Sequence, residues 1–169
     1  ASYGCSLICR FCFHLGIAGD LEQNGQDVSF GYKRTIRYHS PRYIVTLVKH
    51  VRDKYGVDFI GFLDENLMTM HQSSGKTWLT DICRLWLEEG LQPQCVRDGV
   101  PHDPDRCSGV HWGGTSHATL CNPDLLKTMR QAGCSHLVYG YETFSKRVMK
   151  TIGKGATPET NERSLRWTL

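Results

Sequence analysis

The sequence predicts an α/β fold on parallel strands, a piece of a (β/α) barrel or of an open sheet. Two observations carry that prediction. From residue 40 onward helix and strand signals alternate, with connections too long for hairpins, so the strands run parallel with right-handed crossovers. The strand runs are short and almost wholly apolar, as in "VDFIGFL" and "CSHLVYGYE", which marks strands meant to be covered on both faces.

The elements follow in order. "HSPRYIVTLVKHVRDKYG" reads as a helix, with Ser40 as N-cap and Pro41 at the first helical position. Ile44, Leu47, Val48 and Val51 recur along it at helical spacing, and Gly56 ends it. After the strand "VDFIGFL", a second helix over "SSGKTWLTDICRLWLEEG" places Trp78, Leu79, Ile82, Leu85 and Trp86 on one face, with Gly90 past its end. Residues 91–109 form a breaker-rich insertion without periodicity, and "VHWGG" is the next strand. "NPDLLKTMRQAG" is a helix capped by Asn122 and terminated by Gly133. The strand "CSHLVYGYE" leads to a short helix, "SKRVMKTIG", capped by Ser145, and Thr157 with Pro158 opens a last one. If "ASYG" is the exit of a first strand and the last helix leads to another, the chain is a fragment truncated at both ends.

Bulk properties narrow the function. The 169 residues suffice for one core, and 40% apolar with 22% charged residues is ordinary for a globular protein. The net charge of +3 is spread along the chain, which argues against a nucleic-acid partner. No apolar run has the length of a membrane span, and no signal-peptide pattern opens the chain. Eight cysteines without such a signal favour reduced thiols in a reducing, intracellular setting, the cytoplasm first. Cys83, Cys121 and Cys134 read as small core fillers. Cys95 and Cys107 lie in a polar loop where they can pair or bind metal, and the plainer reading is two ordinary thiols.

The chemical signal sits at the start, in "YGCSLICRFCFH". Cys5, Cys9 and Cys12 are spaced C-x3-C-x2-C, close enough for three sulfurs to face one centre. A zinc site needs a fourth ligand, for which His14 is nearest, although common zinc modules use two separated pairs. A disulfide leaves one thiol over. A cubane iron–sulfur cluster on three cysteines leaves one iron open to an exchangeable ligand.

With Phe11 just before the last cysteine, this loop resembles the radical S-adenosylmethionine (SAM) superfamily. The resemblance implies a partial (β/α) barrel spanning residues 1–169, with a cluster loop over 1–16 and β/α units over 40–169. It implies Cys5, Cys9 and Cys12 as ligands of a [4Fe–4S] cluster, SAM on the open iron, and Phe11 beside the adenine. "FIGFLDENLM" resembles the segment that holds the SAM amino group in many members, with Asp64, Glu65 and Asn66 in place of the usual glycine-glycine-glutamate. That version is similar to members carrying an upstream cobalamin-binding domain, so cobalamin would enter through a domain outside these residues. Gly140-Tyr141-Glu142-Thr143 and the following "GKGAT" resemble the fourth-strand exit of the same subgroup, and His117 takes the place of a third-strand arginine. Asp64, Glu65, Asn66, His117 and Glu142 are therefore the implied SAM neighbours. A bland alternative has Glu142 pairing with Lys146 or Lys154 on the surface.

Ligands of α/β folds sit at the carboxyl ends of the strands, where all these residues fall. SAM carries a cationic amine and sulfonium, which carboxylates at that rim would favour. The implied activity is reductive cleavage of SAM to a 5′-deoxyadenosyl radical that abstracts hydrogen from an unknown substrate, with an electron donor as partner. Radical methylation is one outcome. The alternatives are a structural or interaction module in a larger assembly and, behind it, a zinc-binding module.

Overall fold

A computed structural model describes residues 1–7, 9–12, 22–24, 27–29, 36–103 and 105–169. The strands are β1 (Ser2–Tyr3), β2 (Glu22–Asn24), β3 (Asp27–Ser29), β4 (Arg37–Tyr38), β5 (Phe59–Phe62), β6 (His111–Ser116) and β7 (Cys134–Tyr139). The helices are α1 (Pro41–Tyr55), α2 (Leu67–Ser73), α3 (Trp78–Glu88), α4 (Gln94–Asp98), α5 (Pro123–Gln131), α6 (Lys146–Ile152) and α7 (Pro158–Thr168), with a 3₁₀ turn at Ala118–Leu120.

β5, β6 and β7 make a parallel sheet in that order, as the alternation requires. Barrel closure is not seen among the described residues. β1 does not join this sheet as a first parallel strand; it pairs antiparallel with β4, and β2 pairs antiparallel with β3. These two-residue and three-residue pairings lie before residue 40, where no strand is expected apart from the exit at "ASYG". Of the three parallel strands β6 is the most buried, with Gly114 and Thr115 half-buried and the rest covered. β5 and β7 are edges of the described sheet, and Phe59 and Val138 are exposed on them despite the apolar runs.

Helix boundaries follow local chemistry. The hydroxyl of Ser40 accepts from the Tyr43 N–H, Asn122 from Asp124 and Leu125, Ser145 from Val148, and Thr157 from Thr160. α1 buries Ile44, Val45 and Val48 but leaves Leu47 exposed, so the buried stripe lies to one side of the one expected. α3 buries Trp78, Leu79, Ile82, Cys83, Leu85 and Trp86, the expected face complete. The sequence reading missed two helices: α2, directly after the β5 exit, and α4, inside the insertion.

The core forms where α3 packs between α1 and α5, with Trp86 and Trp112 at its centre, ring centroids 5.9 Å apart. Both indoles are fully buried with their N–H groups satisfied, Trp86 by the Val110 carbonyl at 3.2 Å and Trp112 by that of Ala132 at 3.0 Å. Cys83 and Cys134 are buried, and desolvation pushes each thiol up to about 12, consistent with inert core fillers.

Gly113 lets β6 and β7 approach. A Cβ there would lie 2.6 Å from both Cβ and the carbonyl oxygen of His136, beside a register irregularity at Trp112/Gly113. Gly113→Ala is therefore expected to destabilise the fold by about 1–3 kcal/mol through overpacking against backbone. Trp86→Ala is expected to lose about 3–5 kcal/mol. Urea unfolding monitored by circular dichroism measures both, and an unchanged midpoint for either would contradict this packing.

Candidate functional site at the strand exits

Three parallel strands deliver their last residues to one edge. β5 releases Asp64, Glu65 and Asn66 there, β6 ends at Ser116 with His117 following, and β7 runs into Gly140, Tyr141 and Glu142. The structure docks the cysteine loop against this edge. Gly4 donates its N–H to Glu65 Oε2 at 2.9 Å. Asn66 Nδ2 and Thr69 Oγ1 lie 3.8 Å and 3.7 Å from Cys5 Sγ. Cys9 Sγ is 3.9 Å from the Lys154 carbonyl. Within the loop, the Cys12 N–H donates to the Cys9 carbonyl at 3.0 Å, a tight turn between the second and third cysteines. All three thiols are half-buried and unbridged.

Asp64, implied by resemblance as a SAM neighbour, faces the start of the cysteine loop in this structure. It is 2% exposed, and its Oδ2 lies 3.0 Å from the Ala1 nitrogen. Its Oδ1 accepts from both the N–H and the hydroxyl of Ser2. Asp64 and Glu65 thus hold the segment leading into the cysteines, and Asn66 reaches the first cysteine itself.

Glu142 sits in the left-handed region at φ 57°, a conformation a non-glycine residue holds only where its surroundings impose it. Its Oε1 lies 3.0 Å from Lys154 Nζ, one of the two pairings the bland alternative offers, but Lys154 is buried. Gly140 makes room for the pair: a Cβ there would meet Glu142 Oε1 at 2.7 Å and Lys154 Nζ at 3.0 Å. The same ammonium stands 5.6 Å from the centroid of the half-exposed Phe11 ring, within cation–π range. Lys154 is the residue that sequence reasoning undervalued; its place in "GKGAT" was the available signal.

His117 is 7% exposed, and its Nδ1 accepts the Thr119 N–H at 3.2 Å, capping the 3₁₀ turn. Burial first, and then the Lys154 ammonium, push its pKa down to about 4. Its Nε2, with Asn66 Oδ1 and Ser116 Oγ, has no hydrogen-bond partner among the described residues. Buried polar atoms in proteins are nearly always paired, so three orphans at the exits of β5 and β6 fit a polar ligand there. Three unbridged thiols are a donor set suited to an iron–sulfur cluster or to zinc. His14, the candidate fourth zinc ligand, lies outside the described residues. Cys5, Cys9 and Cys12 do not belong to the group of side chains that closes to single-ion spacing among the described residues. A cleft of about 1080 Å³ lies at the opposite end of the sheet against Asp58, His111 and His136. It is separate from the strand-exit cluster.

The depressed pKa of His117 has a consequence for stability. In the unfolded chain the ring binds its proton near pH 6.5, in the folded chain only near 4. Between those values the unfolded state binds more protons, so this residue's contribution is present above pH 6.5 and is lost as the pH falls towards 4. His71 and His111 shift the same way, so the measurement is a difference. His117→Asn, which retains a cap acceptor, is expected to show a shallower loss of stability than the unsubstituted chain over that range in denaturant titrations. Parallel curves would contradict the burial of a neutral imidazole.

A sequence model of the Radical SAM superfamily matches residues 1–168. Over 158 residues the chain is 25% identical to uncharacterized methyltransferase PH0819 of Pyrococcus horikoshii, covering 94% of this chain and 27% of that protein. The fold is similar to that of the cobalamin-dependent S-adenosylmethionine radical enzyme OxsB. With aqua-cobalamin and S-adenosylmethionine bound, that structure gives a TM-score of 0.66 at 18% identity, over 99% of this chain and 21% of that one. With aqua-cobalamin alone it gives 0.67 at 17% identity. At such identities the likeness is one of fold, and the chain spans about a quarter of each protein's length. The match along nearly the whole chain decides the family: this chain belongs to the Radical SAM superfamily.

Proposed function

We propose that this chain carries the cluster-binding and SAM-binding part of a radical SAM enzyme. The observation that carries the reading is the docking of an unbridged C-x3-C-x2-C loop onto the carboxyl ends of parallel strands by Glu65, Asn66, Thr69 and Lys154. Cys5, Cys9 and Cys12 would hold a [4Fe–4S] cluster and leave one iron for SAM. Bound together, cluster and SAM supply one-electron cleavage of a carbon–sulfur bond, the start of hydrogen abstraction from a substrate.

The chain's own residues orient and enclose. Asp64 and Glu65 set the approach of the loop, and Asn66 and Thr69 stand as hydrogen-bond donors beside Cys5 Sγ, a place where donors tune a cluster's potential. The orphaned Asn66 Oδ1 and His117 Nε2 would take polar groups of SAM, and neutral His117 adds no positive charge facing a sulfonium. Glu142 would lend its carboxylate to the SAM end of the site while Lys154 fixes its position, and Phe11 would flank the adenine. A substrate and an electron donor complete the system. Cobalamin-assisted methyl transfer is the specific form favoured by the methyltransferase name of one relative and the cobalamin bound in OxsB, with cobalamin held by a domain outside residues 1–169.

Anaerobic reconstitution with iron and sulfide tests the proposal. The expected product is brown, carries about four irons per chain, and changes its spectrum when SAM is added. Cys9→Ala is expected to abolish iron binding. A colourless protein with metal-free Cys5, Cys9 and Cys12 would overturn the reading, and a cluster indifferent to SAM would favour a structural module instead.

A further inference from the structure

The insertion over residues 91–109 holds a second group of metal-ligating side chains, remote from the strand exits. Cys95 on α4, His102 and Cys107 in the loop, and His111 at the first position of β6 bring one ligand atom each within 4.8 Å of one another. Cys95 Sγ is 3.6 Å from His102 Nδ1 and 3.4 Å from His111 Nε2. His111 Nε2 is 3.2 Å from His102 Nδ1 and 4.0 Å from Cys107 Sγ. We propose that Cys95, His102, Cys107 and His111 bind a single structural zinc ion, which ties the insertion to the amino-terminal edge of the sheet.

Geometry and chemistry agree on this. Tetrahedral zinc with sulfur at about 2.3 Å and nitrogen at about 2.0–2.1 Å places its ligand atoms roughly 3.3–3.8 Å apart. The four sulfur–nitrogen and nitrogen–nitrogen distances above fall at or near that range. The two sulfurs, 2.7 Å apart, are closer than a bound ion would hold them, yet well beyond the roughly 2.05 Å of a disulfide. A disulfide would leave unexplained why two imidazole nitrogens converge on the same sulfurs. A two-iron cluster with paired cysteines and paired histidines would hold the two pairs on different irons, farther apart than this group. Four ligands of types S2N2 around one point suit zinc, and a set with no open position is structural rather than catalytic.

The backbone is built for it. The Cys95 N–H points at Cys107 Sγ at 3.3 Å, a donor that favours a thiolate there. Gln94 N–H donates to the Ser108 carbonyl and Val110 N–H to that of Leu91, each at 2.8 Å, closing the loop at its neck. Gly109, at φ 101° between the last two ligands, turns the chain tightly enough that a Cβ would meet the Gln92 carbonyl oxygen at 2.5 Å. Long connections with little regular structure are uncommon in compact domains and usually serve a purpose. The location is the opposite end of the strands from the cysteine loop, the end where α/β barrels concentrate stability rather than catalysis.

The test uses the whole chain and separates this site from the cluster. Protein purified without added iron and then dialysed against zinc should retain about one zinc per chain, and cobalt in its place should give the intense visible bands of tetrahedral thiolate coordination. Cys9→Ala should leave this zinc untouched. Cys107→Ser should weaken zinc binding by more than about a hundredfold, and so should His102→Ala, which alters an exposed residue if the serine variant does not fold. Chelation should lower the melting temperature of the unsubstituted chain but not that of Cys107→Ser. A chain that binds no zinc, a Cys95–Cys107 disulfide in peptide mapping under reducing purification, or zinc affinity unchanged in His102→Ala would overturn the proposal.

Discussion

The carboxylate of Asp64, buried where β5 ends, holds the segment that leads into the cysteine loop, and the geometry of the strand-exit site depends on that grip. A buried carboxylate is tolerated only when its oxygens are satisfied, and Ser2 gives Oδ1 both its N–H and its hydroxyl. The neighbouring Glu65 repeats the device on Gly4, so two consecutive acidic side chains fix the direction in which the chain enters Cys5. Asn66 and Thr69, on the turn and helix that follow, then meet the first sulfur. One strand exit thus aims the loop and supplies donors beside its first cysteine.

The opposite side of the loop depends on Lys154. Its carbonyl faces Cys9, and its ammonium joins Glu142 and stands over Phe11. Its positive field also helps keep His117 neutral. Glycine at 140 provides the space for this, and the left-handed backbone at Glu142 turns the carboxylate back towards the lysine. The loop is gripped from two strand exits that parallel pairing brings to one edge.

Much of this was legible because it is local. Ser40, Asn122, Ser145 and Thr157 announce helix starts, since a cap needs only a side chain two or three residues from the N–H it accepts. The apolar face of α3 is read directly from its period. α2 escaped because "LMTMHQS" is short, and Asn66, which precedes it, turns its Nδ2 to Cys5 and makes no cap hydrogen bond with its Oδ1. Leu47 and Val45 exchanged places because several apolar residues share that side of α1, and packing against α3 chose among them. The edge strands look buried in sequence because apolar runs report the covering a strand is suited to, not the neighbours present.

The sequence by itself determined the alternation that makes the sheet parallel, the helix caps, and the cysteine spacing with its aromatic neighbour. Each of these depends on residues within a few positions of one another. Only the tertiary structure decided which groups meet across long separations. It set Asp64, an implied SAM neighbour, against Ser2 at the entry to the cysteine loop. It made Lys154 the partner of Glu142, Phe11 and Cys9, and it drew Cys95, His102, Cys107 and His111 together from an irregular loop and the start of a strand. Such meetings are set by how the sheet and helices pack, and no local periodicity encodes them.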